Sequence, residues 1–155
     1  MKTLILAVAL LAPSLPPSGG MRLLAKRKAE ISVHIVLESK IESQGANESA
    51  VRNQAEVALR RCGLAVAEDA VSTIFINASA LNHEGRGYSG SVVLQGGTYA
   101  TISGEFVFVD AYTDSVVFAG PPGVAGTSLR AALAELLDEF CNSYLKARAI
   151  IAVSH

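Results

Sequence analysis

Ile31, Val33, Ile35 and Leu37 alternate along the chain with Ser32, His34, Val36 and Glu38. A period of two is that of a β-strand, and here one face of the strand is strongly apolar. Such a strand must lie against another apolar layer, so the rest of the chain has to supply one. The alternation returns from Ser72 to Leu81, where Ile74, Ile76, Ala78 and Ala80 share a face. Two segments carry helical spacing instead. The first runs from about Glu48 to Cys62, with Val51, Ala55, Ala58, Leu59 and Cys62 as its stripe. The second runs from about Thr127 to Arg148, with Leu129, Leu133, Leu136, Leu137, Phe140 and Tyr144.

The ends of the first helix are also legible. Asn47 is placed to cap its amino terminus by accepting from a free backbone N–H. Arg60 and Arg61 sit in the last turn, where the helix dipole favours cations. Gly63 suits the left-handed conformation that ends a helix, with Leu64 folding back on Leu59. Residues 39 to 47 are polar and read as a loop, and Leu64 to Ala67 as a short strand. Tyr88 to Gln95 and Tyr99 to Asp110 read as a hairpin about Gly96-Gly97, because tight hairpin turns need positive φ angles. Asp114 to Ala119 is a last strand, returning through Tyr112-Thr113, and Gly120-Pro121-Pro122-Gly123 breaks the pattern. The order β-α-β-β-β-β-β-α predicts an α+β fold. It is a two-layer sandwich, with an antiparallel-rich sheet of about five strands and two helices on one face. The other face, carrying Ser32, His34, Thr73, Asn77 and Ser79, is solvated or meets a partner.

Composition narrows the function classes. The chain has 155 residues, 50% hydrophobic and 17% charged, which suits one globular domain and excludes a disordered chain. A net charge of −1 argues against a nucleic-acid binder. Two cysteines exclude a disulfide-dense scaffold and a four-cysteine zinc site. Lys2, the apolar run Leu4 to Ala12 and the breaker region Pro13 to Gly20 form a secretory signal peptide over residues 1–20. Ser18 and Gly20 offer a cut before Met21, while Ala12 and Ser14 offer an earlier one. The apolar run is too short for a transmembrane segment. Arg22, Lys26, Arg27 and Lys28 then form a basic flexible arm over 21–30, read as solvated. Contact with anionic lipid, and so membrane proximity, is the alternative. Residues 31–150 form the single α+β domain. Residues 29 to 155 hold eight basic and 14 acidic residues, so the folded body is acidic.

Sites of chemistry are sparse. Gly120 to Ser128 lies between a strand and a helix, as a phosphate loop would. It lacks the lysine of that motif, and two prolines remove N–H donors. His34 and His83 have no local partner that builds a triad, and no His/Asp/Glu spacing matches a metal site. Asp110 and Asp114 flank a turn, where aspartates usually cap backbone groups. No catalytic residue, cofactor or metal is expected. Cys62 and Cys141 fall on or beside the buried stripes of the two helices. If the helices are neighbours in an oxidising compartment they would form a disulfide; otherwise they are buried thiols. Asp138 and Asn142, four apart, stand beside the Phe140–Tyr144 face and are the candidate interaction edge.

The carboxy-terminal helix supplies a resemblance. Asp138, Phe140, Asn142, Tyr144 and Leu145 match an Asp-x-Phe-x-Asn-x-Tyr-Leu signature. The chain in this respect resembles small exported bacterial proteins of unassigned function. Val57 to Val66 is similar to that family's helix end, and Phe75-Ile76-Asn77-Ala78 to the strand that follows. The similarity spans roughly residues 31 to 148. The chain departs from it at Cys141, at Ser143, and at Ser103-Gly104-Glu105, where a tryptophan is common. The resemblance implies export, to the periplasm or beyond, and an α/β layout, and it brings no enzyme class. Together these readings predict an exported, non-catalytic binding or assembly accessory of the cell envelope, with a protein partner and no nucleic acid. A small-ligand or lipid binder is the alternative, and a hydrolytic enzyme a more remote one. The oligomeric state is not readable.

Overall fold

The structure is a computed structural model that describes residues 17–154. Most of the expected leader lies outside the described residues. The element order is α1 Gly19–Lys26, β1 Glu30–Leu37, α2 Ser39–Glu42, α3 Glu48–Arg61, β2 Ala65–Val66, β3 Ser72–Asn82, β4 Tyr88–Ile102, β5 Glu105–Gly120 and α4 Ala125–Val153. Five strands form one sheet in the order β2-β1-β3-β4-β5. The sheet is mixed. β1 runs parallel to β2 and β3, whereas β3–β4 and β4–β5 are antiparallel. The parallel step follows from α3, which carries the chain back across the sheet between β1 and β3.

The helices pack on one face of the sheet, as expected, but among the described residues there are four rather than two. α4 lies over the long strands, α3 over β1, and α1 beside α4 over β4 and β5. α2 is a single turn within the segment expected to be a loop, and it buries Ile41. Ile31, Ile74, Ile76 and Leu94 from the sheet meet Leu133, Leu137 and Phe140 from α4, all fully buried. The caps of α3 are as the sequence indicates. Asn47 Oδ1 accepts from the Ala50 N–H at 3.2 Å. Gly63 has φ +85°, and the Leu64 N–H donates to the Leu59 carbonyl at 3.0 Å.

Three expectations are corrected. The segment 21–30 is not a flexible arm. Its first part is a helix whose Met21, Leu24 and Ala25 are buried at i, i+3, i+4 spacing. Ser18 caps that helix, accepting from the Met21 N–H at 3.1 Å and donating to the Ala111 carbonyl at 2.8 Å. The charges concealed the stripe, since four cations in one short segment read as solvated.

Gly96-Gly97 is not a turn. β4 runs straight through it, with a β-bulge that leaves Ala111 of β5 as the extra residue. A Cβ at Gly96 would stand 2.8 Å from the Phe140 ring on the helix side, and one at Gly97 would collide with the Phe108 ring on the other. The glycines are there because a ring occupies each side-chain site. The real turn is Ser103-Gly104, with φ +52° and +86°, the two positive values of a two-residue hairpin.

Finally, Tyr112-Thr113 does not reverse the chain. β5 continues past it, so three expected strands are two long ones.

Candidate functional site

Among the described residues, no layer covers the face of the sheet away from the helices. On β3, β4 and β5 its side chains are Thr, Phe, Asn, Ser, Leu, Gln, Tyr, Val and Ala, and Asp110 is the one charged residue. For a chain whose body is acidic, this is an uncharged surface. Aromatic rings cross it from β1 to β5. His34 stacks on Phe75 with centroids 5.2 Å apart, and Phe75 meets Phe108 edge-on at 6.0 Å. Tyr99 packs edge-on to Phe108 at 5.3 Å and stacks on Phe106 at 5.0 Å. Phe106 is 71% exposed and Val117 76% exposed, towards the two ends of β5. Asp110 is held in place by Thr113, whose hydroxyl donates to its carboxylate at 2.9 Å. A shallow groove of about 350 Å³ runs between Glu38, Ser79, Leu81, Ser91 and Val117.

This face is less uniformly solvated than the alternation suggested. Ser32 and Thr73 are buried, and the Ser32 hydroxyl donates to Thr73 Oγ1 at 2.9 Å. The outer edge of β5 has no paired strand among the described residues, because β5 ends the sheet order. The other end of the sheet is the two-residue β2. β5, 16 residues long, therefore borders the uncharged face with an edge that no strand pairs, interrupted at Ala111, whose carbonyl accepts from the Ser18 hydroxyl.

Of the two alternatives left open for the cysteines, the structure has the disulfide. Cys62, just past α3, and Cys141, in the middle of α4, form a disulfide with Cα atoms 5.6 Å apart. The bond ties the two helices over the sheet, where Gln54 Nε2 also donates to the Arg130 carbonyl at 2.7 Å.

Asp138 and Asn142 lie elsewhere. Both are exposed on the outer side of α4, behind the buried Phe140 and Tyr144, so they are remote from the open sheet face. The histidines are not gathered either. His34 is in β1 opposite Phe75, whereas His83 lies beyond the end of β3, with Nε2 2.9 Å from Ser89 Oγ. At about 3.3 Å per residue the two are roughly 26 Å apart. No cluster of three metal-ligating side chains occurs among the described residues. In the Gly120–Ser128 connection, Gly126 packs directly on the Gly45 backbone, where a Cβ would strike the Gly45 carbonyl.

One titratable cluster was not expected. Tyr112, Asp114 and Glu139 meet where β5 passes under α4. Burial, with the nearby Asp114 and Glu139 charges, pushes the Tyr112 hydroxyl well above its usual range. Desolvation, followed by the hydrogen bond and charge of Asp114, raises the Glu139 carboxyl. The two carboxyls are 25 residues apart in sequence, and only the bulge at Ala111 turns Asp114 towards α4.

No protein-family model matches the chain, and no curated protein sequence matches it. Among solved structures, a minor lipoprotein from Acinetobacter baumannii is similar at 12% identity and a TM-score of 0.43, covering 77% of this chain and 92% of that one. A candidate lipoprotein from Caulobacter crescentus is similar at 15% identity and a TM-score of 0.32, covering 89% of this chain and 98% of that one.

Proposed function

We propose that the protein is an exported, non-catalytic binding or assembly module of the bacterial cell envelope, whose docking surface is the open face of the sheet with the β5 edge. The observation that carries this reading is the surface of β3–β5: uncharged but for Asp110, crossed by aromatic rings, and bordered by a free strand. An extended segment of a partner would add a strand to β5 through backbone hydrogen bonds, while its side chains reach Phe106, Phe108 and Val117. Export is supported by the apolar leader and by the Cys62–Cys141 disulfide, a bond that persists in oxidising compartments. The fold also bears on the cut. Ser18 caps α1 and Gly20 packs on the Ala111 backbone, so processing upstream of Ser18, after Ser14, leaves α1 intact.

The test is affinity capture from an envelope extract with two variants. Phe106→Glu with Val117→Glu puts charge on the face and should abolish capture of the wild-type partner. Asp138→Ala with Asn142→Ala should leave it unchanged. The opposite pattern would move the site to the outer face of α4. Retention of the partner by both variants would refute the sheet-face reading.

A further inference from the structure

A second surface lies in the helix layer. The carboxy-terminal end of α1 and the last turns of α4 enclose an open groove of about 790 Å³. Its charged lining is Lys26, Arg27 and Arg148, with no carboxylate, and its remaining lining is Ala and Ile. The cations are not spent on ion pairs, which among the described residues involve only Lys28, Arg52 and Arg60. Two of the three are held in position by uncharged groups. Arg27 donates to the Tyr99 carbonyl at 3.3 Å, and the Arg148 guanidinium lies over the Tyr144 ring at 5.9 Å. Leu145, on the Arg148 side of α4, and Val153, at its last turn next to Ala149 and Ala152, project apolar side chains to solvent, Val153 at 88% exposure.

Cations in a preformed groove, flanked by exposed aliphatic side chains on one helix end, match the chemistry of a bilayer interface. Phosphate headgroups meet the cations, and the aliphatic groups enter the headgroup–acyl boundary. A polyanion such as RNA would satisfy the cations but leave the aliphatic groups in water. We infer that the α1–α4 groove docks the protein peripherally on an anionic phospholipid surface. The helix layer then faces the membrane while the open sheet face remains available. No helix among the described residues is long and apolar enough to cross a bilayer, so this contact is interfacial. The inference stands on the helix layer and is independent of the sheet-face reading.

Sedimentation with vesicles tests it, using roughly one-third phosphatidylglycerol in phosphatidylcholine against phosphatidylcholine alone. Binding should require the anionic lipid and fall steeply with salt. Each cation near an anionic surface contributes about five-fold in affinity, so Lys26→Gln, Arg27→Gln and Arg148→Gln together should weaken binding about 100-fold. A control with the same net-charge change elsewhere, Lys40→Gln with Arg86→Gln and Arg130→Gln, should stay within a few-fold of wild type. All six side chains are exposed or nearly so, and the single variant Lys26→Gln should still cost about five-fold if the triple variant folds poorly. Val153→Ser, which removes the apolar group without adding charge, should also weaken binding, which a purely ionic site would not show. Equal binding to both vesicle types, or equal losses in the two triple variants, would overturn the inference. Binding of soluble glycerophosphate as tight as that of vesicles would make the groove a free-anion site. Tighter binding of a single-stranded oligonucleotide would assign it to nucleic acid.

Discussion

Gly96 and Gly97 show how one residue type carries opposite meanings. In sequence, a glycine pair between alternating strands signals a hairpin. In the fold, each glycine leaves room for a ring, Phe140 on one side and Phe108 on the other. Rings at distances of 44 and 11 residues along the chain are invisible to a local reading. Gly96→Ala should destabilise the protein by about 1–3 kcal/mol, because Phe140 is fully buried and has nowhere to retreat. Denaturant unfolding measures this, and Phe140→Leu in the same background should recover part of the loss.

Glu139 gives a pH signature at the same scale. Its carboxyl is raised in the folded protein, so its protonated form is favoured by folding. That contribution is complete below the ordinary glutamate range and is lost as pH rises through the raised value. Wild type should therefore lose some stability as pH climbs from about 4.5 towards neutrality. Glu139→Gln should remove that slope and be slightly more stable at neutral pH. The effect is modest because the carboxyl is largely exposed.

The elements divide by how local their signals are. α3 was legible with both caps, because Asn47, Gly63 and Leu64 act within one turn of it. The strands β1 and β3 were legible because each is one-sided. In α1 the four charges mask the stripe, although Met21, Leu24 and Ala25 carry the i, i+3, i+4 spacing of a buried face. β5 reads as two strands in sequence because Tyr112-Thr113 follows a bulge that only the partner strand reveals. The disulfide was half legible. The cysteines could be placed on helix faces, but whether the helices adjoin is a tertiary fact. It closes a loop with a sequence separation of 79, so its loss should cost about 4–5 kcal/mol by the loop-entropy relation. Cys62→Ala with Cys141→Ala should lower the unfolding free energy from denaturant titration by that amount without changing the far-ultraviolet dichroism. The mass of the mature protein should rise by two hydrogens on full reduction, and an unchanged mass would mean the thiols are unpaired.

At the scale of the molecule, the two layers leave unlike surfaces. The helix layer is charged outside, with Lys26, Arg27 and Arg148 gathered at the α1–α4 groove. The sheet layer is nearly uncharged and bears rings. The sequence indicated that the second face exists, through the alternation in β1 and β3. It did not indicate that the face continues over β4 and β5, since the bulge shifts the alternation by one residue there. Its candidate edge on α4, Asp138 and Asn142, came from helix spacing alone, which places residues on a face but not relative to the sheet.

The central claim is that this open face and the β5 edge are where a partner docks. Site-specific photo-crosslinking in intact cells tests it most directly, with a photoreactive amino acid at Phe106, at Val117 and, for comparison, at Asp138. The account predicts one adduct of the same mass from Phe106 and Val117 and none from Asp138. An adduct at Asp138 alone, or at none of the three positions while capture from extracts succeeds, would contradict it.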